Sequence, residues 1–170
     1  MSMGFISPNR KTLLNELTTK KPIPKSVVLV PGGAKEALYA KPGTMKLALR
    51  KRKGFVRIAL ESGCSLVPCL GFGENEIYDT DGVSESSGLF ALQKKLSFAT
   101  PIVKHIIPRK TKLTVVVGNP IDCRMQMANP HHNQDVVDKF HERYLRELEE
   151  LYRKYNPDYG NDNVSLQIIM

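Results

Sequence analysis

Cysteine is scarce in this chain of 170 residues: Cys64, Cys69 and Cys123 are the whole complement. So sparse and odd a set excludes a disulfide framework. The gap between Cys64 and Cys69, with no histidine pair nearby, excludes a zinc knuckle. The three read as buried thiols of a protein in a reducing compartment. Long apolar runs are missing too. The longest cover four or five residues, such as Val27–Val30 and Val115–Val117 with its flanks, far short of the roughly 18–20 that a membrane-spanning helix needs. Met1–Pro8 has no charged start followed by an apolar core, so no secretory signal is visible. As written, the sequence predicts a soluble or peripheral protein.

Recognisable catalytic sets are also lacking. No GK[ST] follows the glycines at 32–33, so there is no P-loop, and there is no GxGxxG. No serine or cysteine sits on a GxSxG elbow. Of the four histidines, His105 lies in an apolar stretch and reads as structural, and His131-His132 follow Pro130 near a helix start. His141 falls within a helical pattern. None has an acidic partner at a suggestive spacing.

Acid is absent from one stretch in particular. Between Lys41 and Arg57 stand Lys41, Lys46, Arg50, Lys51, Arg52, Lys53 and Arg57 with no Asp or Glu, in a chain whose net charge is +8 and whose pI is about 9.4. Such a run points to an anionic partner: a phosphorylated small molecule, acidic lipid headgroups or nucleic acid. Only Phe55 lies close to it and no aromatics interleave with the cations, which argues against nucleic acid.

What is present describes a folded domain. A hydrophobic content of 41% and a charged content of 25% lie in the globular range. The length suits one domain, expected over residues 1–160, with 161–170 as a loose tail after Pro157. Ser7-Pro8 reads as a cap and first helical position, with Leu13, Leu14 and Leu17 as the apolar stripe, and Pro22 and Pro24 ending the helix by Lys20. Val27–Val30 reads as a buried strand, residues 34–40 as a short helix and Pro42-Gly43 as a turn. Residues 45–62 look helical, interrupted at Gly54 and stopped at Gly63. Cys64–Phe72 and Leu113–Val117 read as further buried strands, 79–88 as a polar loop and 89–98 as a helix. Val137, Phe140, Tyr144, Leu148, Leu151 and Tyr155 recur at helical spacing and predict a long helix from about 133 to 155.

Strands alternating with helices indicate an α/β fold with a largely parallel, doubly covered part. In such sheets a ligand crevice lies beyond the carboxyl ends of the strands. All three expected strands end in glycine and proline, as PGG, GFGENE and GNP. Pro31-Gly32-Gly33 would let backbone approach a phosphate or carbonyl oxygen closely, with Glu36 just behind; a plain strand-to-helix turn explains the same letters. Glu74-Asn75-Glu76 could orient a polar ligand or simply form a polar turn.

Together, VPGGAKEAL (30–38), LRKRKGFVRIAL (49–60), LVPCLGFGENEIY (66–78), VVVGNPI (115–121) and HERYLRELEELYRKYNPDYG (141–160) resemble one family. It is the monoacylglycerol/diacylglycerol acyltransferases of the type 2 diacylglycerol acyltransferase group, which includes wax-ester synthases. The resemblance covers essentially the whole chain, and the motifs stand in the family's order. It implies the helix-covered α/β sheet of glycerolipid acyltransferases and transfer of a fatty acyl group from acyl-CoA, a co-substrate and not a cofactor, to the hydroxyl of a mono- or diacylglycerol. It further implies residence at the cytosolic face of the endoplasmic reticulum membrane and on lipid droplets. Pro31, Gly32, Gly33 and Glu36 would line the donor site. Arg50, Arg52 and Lys53 would bind coenzyme A phosphates or an anionic membrane surface, and Glu74, Asn75 and Glu76 would order the far wall. The family's His-Pro-His-Gly signature is absent from this sequence. The expectation is therefore a C-terminal half, incomplete on its N-terminal side and inactive in acyl transfer by itself. It would retain lipid or acyl-CoA binding, with open sheet edges that favour self-association or pairing with the missing half.

Overall fold

The computed structural model describes residues 4–19, 25–78, 107–124, 133–160 and 163–169. The polar loop expected at 79–88, the helix expected at 89–98, and His105, His131 and His132 lie outside the described residues. Helix α1 (Arg10–Thr18) is capped by Asn9, whose side chain accepts from the Thr12 N–H. The cap is thus two residues later than Ser7, because Asn9 is the residue whose oxygen reaches the third helical N–H. A single-turn helix α2 (Ala34–Ala37) follows the glycines. Strand β1 (Met45–Leu47), helix α3 (Gly54–Ser62) and strand β2 (Cys69–Phe72) come next, then a 3-10 turn over Glu74–Glu76. Strand β3 (Thr114–Val117), helix α4 (Gln134–Tyr159) and strand β4 (Leu166–Ile168) complete the described elements, a mixed α/β set.

Three expectations are corrected. Residues 27–30 form no strand: Val28 is 95% exposed and Val30 70%. β-branched residues favour a strand only where another strand pairs with them, and no described segment does. Residues 45–53 are not helical. Met45–Leu47 pair in parallel with Leu166–Ile168, so a contact across most of the chain overrides the local pattern, and Gly54 opens α3 instead of breaking it. That pairing also holds part of the tail that was expected to be loose. Other features match the reading. Gly63 stops α3 in a left-handed conformation at φ 67°, where glycine carries no Cβ penalty. Residues 42–43 form a turn, and α4 covers its expected range and continues one turn further, through Pro157.

β2 and β3 pair antiparallel, with Cys69 opposite Val117 and Phe72 opposite Thr114. Side chains alternate across this ribbon. Leu70, Phe72 and Val116 point inward onto α4, where they pack with Leu49, Ile121, Tyr144, Leu148 and Leu151. Each such fully buried side chain contributes roughly 1.5–3 kcal/mol relative to exposure. A second cluster joins Val56, Ala59 and Leu60 of α3 to Cys123 and Val137. The outer face of the ribbon is bare, which corrects the expectation of buried strands: Val115 is 65% exposed and Val117 62%. Cys69 lies on that exposed face and Cys64 is half-buried, so of the three thiols expected to be buried only Cys123 is.

Two polar contacts fix the segment between β1 and α3. His141, 3% exposed on α4, donates Nε2–H to the Leu49 carbonyl at 3.0 Å, and its ring lies edge-on to Phe55. Lys53 pairs with Asp138 of α4 at 2.8 Å. The basic run is therefore fastened to the long helix at two points one helical turn apart.

Candidate functional site

A cavity of about 930 Å³ runs from α1 and residues 27–30 to the edge of β2 and the buried face of α4. Its polar end is built from the two glycine-bearing turns. The loop at Pro31-Gly32-Gly33 turns the chain sharply into α2. Gly33 lies at φ 62°, ψ −163°, a region that residues with a Cβ scarcely enter. Gly32 is needed for a different reason: a Cβ there would lie 2.1 Å from Oε2 of Glu36. The missing side chain is the space in which the Glu36 carboxylate sits. That carboxylate accepts the Ala48 N–H at 2.7 Å and so joins the glycine loop to the end of β1.

The second turn repeats the arrangement. Gly73 bends the chain at φ 89° after β2, and a Cβ on Gly71 would lie 2.9 Å from Oε1 of Glu74. Two carboxylates thus rest against two bare glycines. Burial pushes Glu36 above the ordinary carboxylate range; the Ala48 N–H opposes this, the negative charge of Glu74 adds to it, and the Arg52 guanidinium opposes it. Tyr144 on α4 lines the same cavity, and burial pushes its phenol up to about 12. The cavity therefore presents a carboxyl group whose pKa burial raises, a phenol that stays neutral, and largely apolar walls.

Asn75 and Glu76 line the cavity too, but their polar groups are spent on backbone. The Asn75 amide donates to the Thr44 carbonyl at 2.7 Å and Glu76 accepts the Gly43 N–H at 2.7 Å. Both side chains act on the backbone of the turn that delivers β1. The structure thus brings Pro31, Gly32, Gly33, Glu36, Glu74, Asn75 and Glu76 to one cavity. Of the basic run only Lys46 lines it; Arg50, Arg52 and Lys53 do not. Arg50 directs its guanidinium at the Ile168 carbonyl, 3.3 Å away, and Lys53 is engaged by Asp138. Arg52 is exposed and close enough for its charge to act on Glu36. Sequence reasoning missed Tyr144 as a cavity residue, because its place in a three- and four-residue apolar stripe marks only its burial. Among the described residues no group of His, Cys, Asp and Glu could hold a metal ion.

Kinship rests on nearly the whole length of the chain. A sequence model described as diacylglycerol acyltransferase matches residues 1–169. The chain belongs to that family. It is 33% identical to diacylglycerol O-acyltransferase 2A of Umbelopsis ramanniana in an alignment 177 positions long that covers 96% of this chain and 49% of the relative. It is 36% identical to 2-acylglycerol O-acyltransferase 1 of Homo sapiens over 173 aligned positions, covering 94% of this chain and 50% of the relative. With diacylglycerol O-acyltransferase 2 of Danio rerio the identity is 35% over 181 aligned positions, covering 98% of this chain and 49% of the relative. The chain spans about half the length of the curated relatives that it matches. No solved structure matches it.

Proposed function

We propose that this chain is the donor-handling part of an acyl-CoA-dependent O-acyltransferase that esterifies a mono- or diacylglycerol. The observation that carries the reading is the cavity's polar end, where the family's PGG and GENE segments bring two carboxylates onto two bare glycines beneath apolar walls. In the reaction a glycerol hydroxyl oxygen attacks the thioester carbonyl, the C–S bond breaks, the hydroxyl proton leaves and coenzyme A departs as the thiol. Here the Pro31–Gly33 loop, free of side-chain bulk, receives the thioester arm, with Glu36 behind it. Glu74, with the turn that Asn75 and Glu76 hold, forms the opposite wall. The phosphates of coenzyme A fall to Arg50 and Arg52, with Lys53 joining once it exchanges Asp138 for a phosphate oxygen. The helix-covered sheet is then that of a glycerolipid acyltransferase lacking its N-terminal part. The working place is the cytosolic face of the endoplasmic reticulum membrane or a lipid droplet, where the basic residues meet the anionic surface; no helix among the described residues is long and apolar enough to cross a membrane.

A second reading has its own observation. His141, the histidine within the described residues, is buried against the Leu49 carbonyl and does not line the cavity. No imidazole in the described cavity wall can take the hydroxyl proton, a step worth about 10²–10⁴-fold. The chain alone would then bind acyl-CoA without transferring the acyl group. One experiment addresses both readings: radiolabelled oleoyl-CoA is incubated with the chain and diacylglycerol in mixed micelles, and bound label and labelled triacylglycerol are both counted. Ester formation supports the first reading. Binding lost in Gly32→Ala, without ester, supports the second. Absence of binding removes both.

A further inference from the structure

Helix α4 buries two polar side chains one turn apart, and the protein itself satisfies only one of them. His141, 3% exposed, spends its Nε2–H on the Leu49 carbonyl. Tyr144 is 8% exposed, and its hydroxyl makes no hydrogen bond with any described residue. Tyr152, about two turns further along the same helix, is in the ordinary condition: its hydroxyl donates to the Val164 carbonyl. A buried tyrosine O–H normally has such a partner, and an orphan calls for an explanation. The ring of Tyr144 is well held. Phe55 meets it edge-on with centroids 4.9 Å apart, and Leu49, Leu70 and Leu148 pack in the same cluster. The side chain lines the cavity. After burial, the groups whose charge bears on its hydroxyl are Cys69 and Glu36, both in the wall of that cavity. The free O–H therefore faces the cavity where apolar walls meet the Glu36 turn.

We propose that the Tyr144 hydroxyl donates a hydrogen bond to the carbonyl oxygen of a fatty acyl group lying in the cavity, and so fixes where that carbonyl sits. The inference rests on the acyl-transfer reading and adds to it a residue that touches the reacting carbonyl. Three properties of the spot select this chemistry. The phenol, pushed up to about 12 by burial, stays neutral and offers a donor. An anionic group would bring charge beside the Glu36 carboxylate and into apolar surroundings, with Lys46 alone of the basic run in the wall. Plain hydrocarbon would leave the O–H unpaired. A carbonyl flanked by hydrocarbon suits the hydroxyl and the walls together. When a glycerol oxygen adds to the carbonyl carbon, the π pair moves onto the carbonyl oxygen, and the Tyr144 O–H faces that charge as it develops. The pair returns as the C–S bond breaks, and the departing thiolate takes up the hydroxyl proton. The thioester of acyl-CoA and the ester of an acylglycerol share the carbonyl that Tyr144 recognises, and the test separates them.

The test compares the full chain with Tyr144→Phe, which removes the oxygen and keeps the ring against Phe55. Oleoyl-CoA isotopically labelled at the carbonyl carbon is bound to each protein. The carbonyl stretch is read by isotope-edited infrared difference spectroscopy, and Kd by calorimetry. Dioleoylglycerol labelled at its ester carbonyls, in mixed micelles, is the second probe. The expected result is a thioester stretch lowered in wild type and restored toward its free frequency in the variant, with Kd raised about tenfold. Without ligand, the variant should match or exceed wild type in urea, because the hydroxyl it lacks had no partner to lose. A lower urea midpoint would mean that the hydroxyl is already bonded in the free chain, and would overturn the proposal. Oleoyl-CoA that binds both proteins equally tightly, with the same stretch, also overturns it and leaves the acyl-transfer reading standing. A shift that depends on Tyr144 with dioleoylglycerol, and is missing with oleoyl-CoA, upholds the contact, assigns it to the acceptor and removes donor handling from this wall. If neither probe distinguishes the variant from wild type, the proposal is overturned outright.

Discussion

Replacing Gly32 with alanine tests the construction of the site most directly. Gly32 does not have a positive φ, so alanine introduces no backbone strain and the effect is purely one of space. The new Cβ would lie 2.1 Å from Oε2 and 2.4 Å from Cδ of Glu36, and the carboxylate must swing away. Doing so breaks its bond to the Ala48 N–H, whose residue is 2% exposed. Losing a bond of this kind and leaving a buried donor unpaired costs about 1–3 kcal/mol. At a typical slope of ~2 kcal/mol per M, the urea midpoint falls on the order of 1 M. Far-UV circular dichroism is the readout, since the chain has no tryptophan. The decisive comparison is a double-mutant cycle. Glu36→Ala already frees the Ala48 N–H, so Gly32→Ala added to it should cost under about 0.5 kcal/mol. Strictly additive penalties would show that Gly32 does not owe its place to the carboxylate. Gly33→Ala is the contrasting variant. It meets nothing within 4 Å but is forced into its φ 62° conformation, a strain of about 1–3 kcal/mol that Glu36→Ala should leave unchanged.

Titration gives two more expectations of opposite sign. Glu36 has its folded-state pKa raised, chiefly by burial, so its contribution to stability is fully present below the unfolded value of about 4.5 and is lost as pH rises through the folded value. Glu36→Gln keeps an acceptor for Ala48 and removes the charge. It should be more stable than wild type at pH 8 and equal to it near pH 4; a constant difference in urea melts would refute the assignment. His141 is held below its usual value by burial, so it stabilises above about pH 6.5 and loses that contribution as pH falls. His141→Gln should flatten the wild-type fall in melting temperature between pH 7 and 5, and an unaltered slope would count against it. Asn75→Ala should cost about 1 kcal/mol and speed amide exchange at Gly43 and Thr44 while leaving that of α4 unchanged. Asp138→Asn should lower stability only slightly, because water screens the Lys53 pair on the acid's exposed side, and the loss should disappear in high salt.

Local signals were legible and distant pairings were not. The apolar stripe of α4 and the glycine after α3 carry their meaning within one or two turns of chain, and both were read correctly. Val27–Val30 and Met45–Leu47 exchanged roles for a single reason. The first has strand-forming side chains but no described partner, and the second reads as helix but finds β4 more than a hundred residues away. Pairing decides a strand, and pairing is not written at the strand itself. The site follows the same division. PGG and GENE stood out because glycines at strand ends mark close approach, whereas the Glu36–Ala48 bond and the shared cavity arise only when the two turns meet. Asn75 and Glu76 look like ligand-facing groups in sequence, yet their amide and carboxylate are occupied by backbone 31 and 33 residues away.

The pairing of β1 with β4 has a consequence for how the protein can be handled. Leu166–Ile168 lie at the extreme carboxyl end, and the Ile168 and Ile169 carbonyls hold the Arg50 guanidinium and amide. The final residues thus act as a clasp on the basic segment proposed to meet anions. A deletion of residues 166–169, or an insertion among them, would remove or strain that clasp, and the result would look like damage to the binding surface itself.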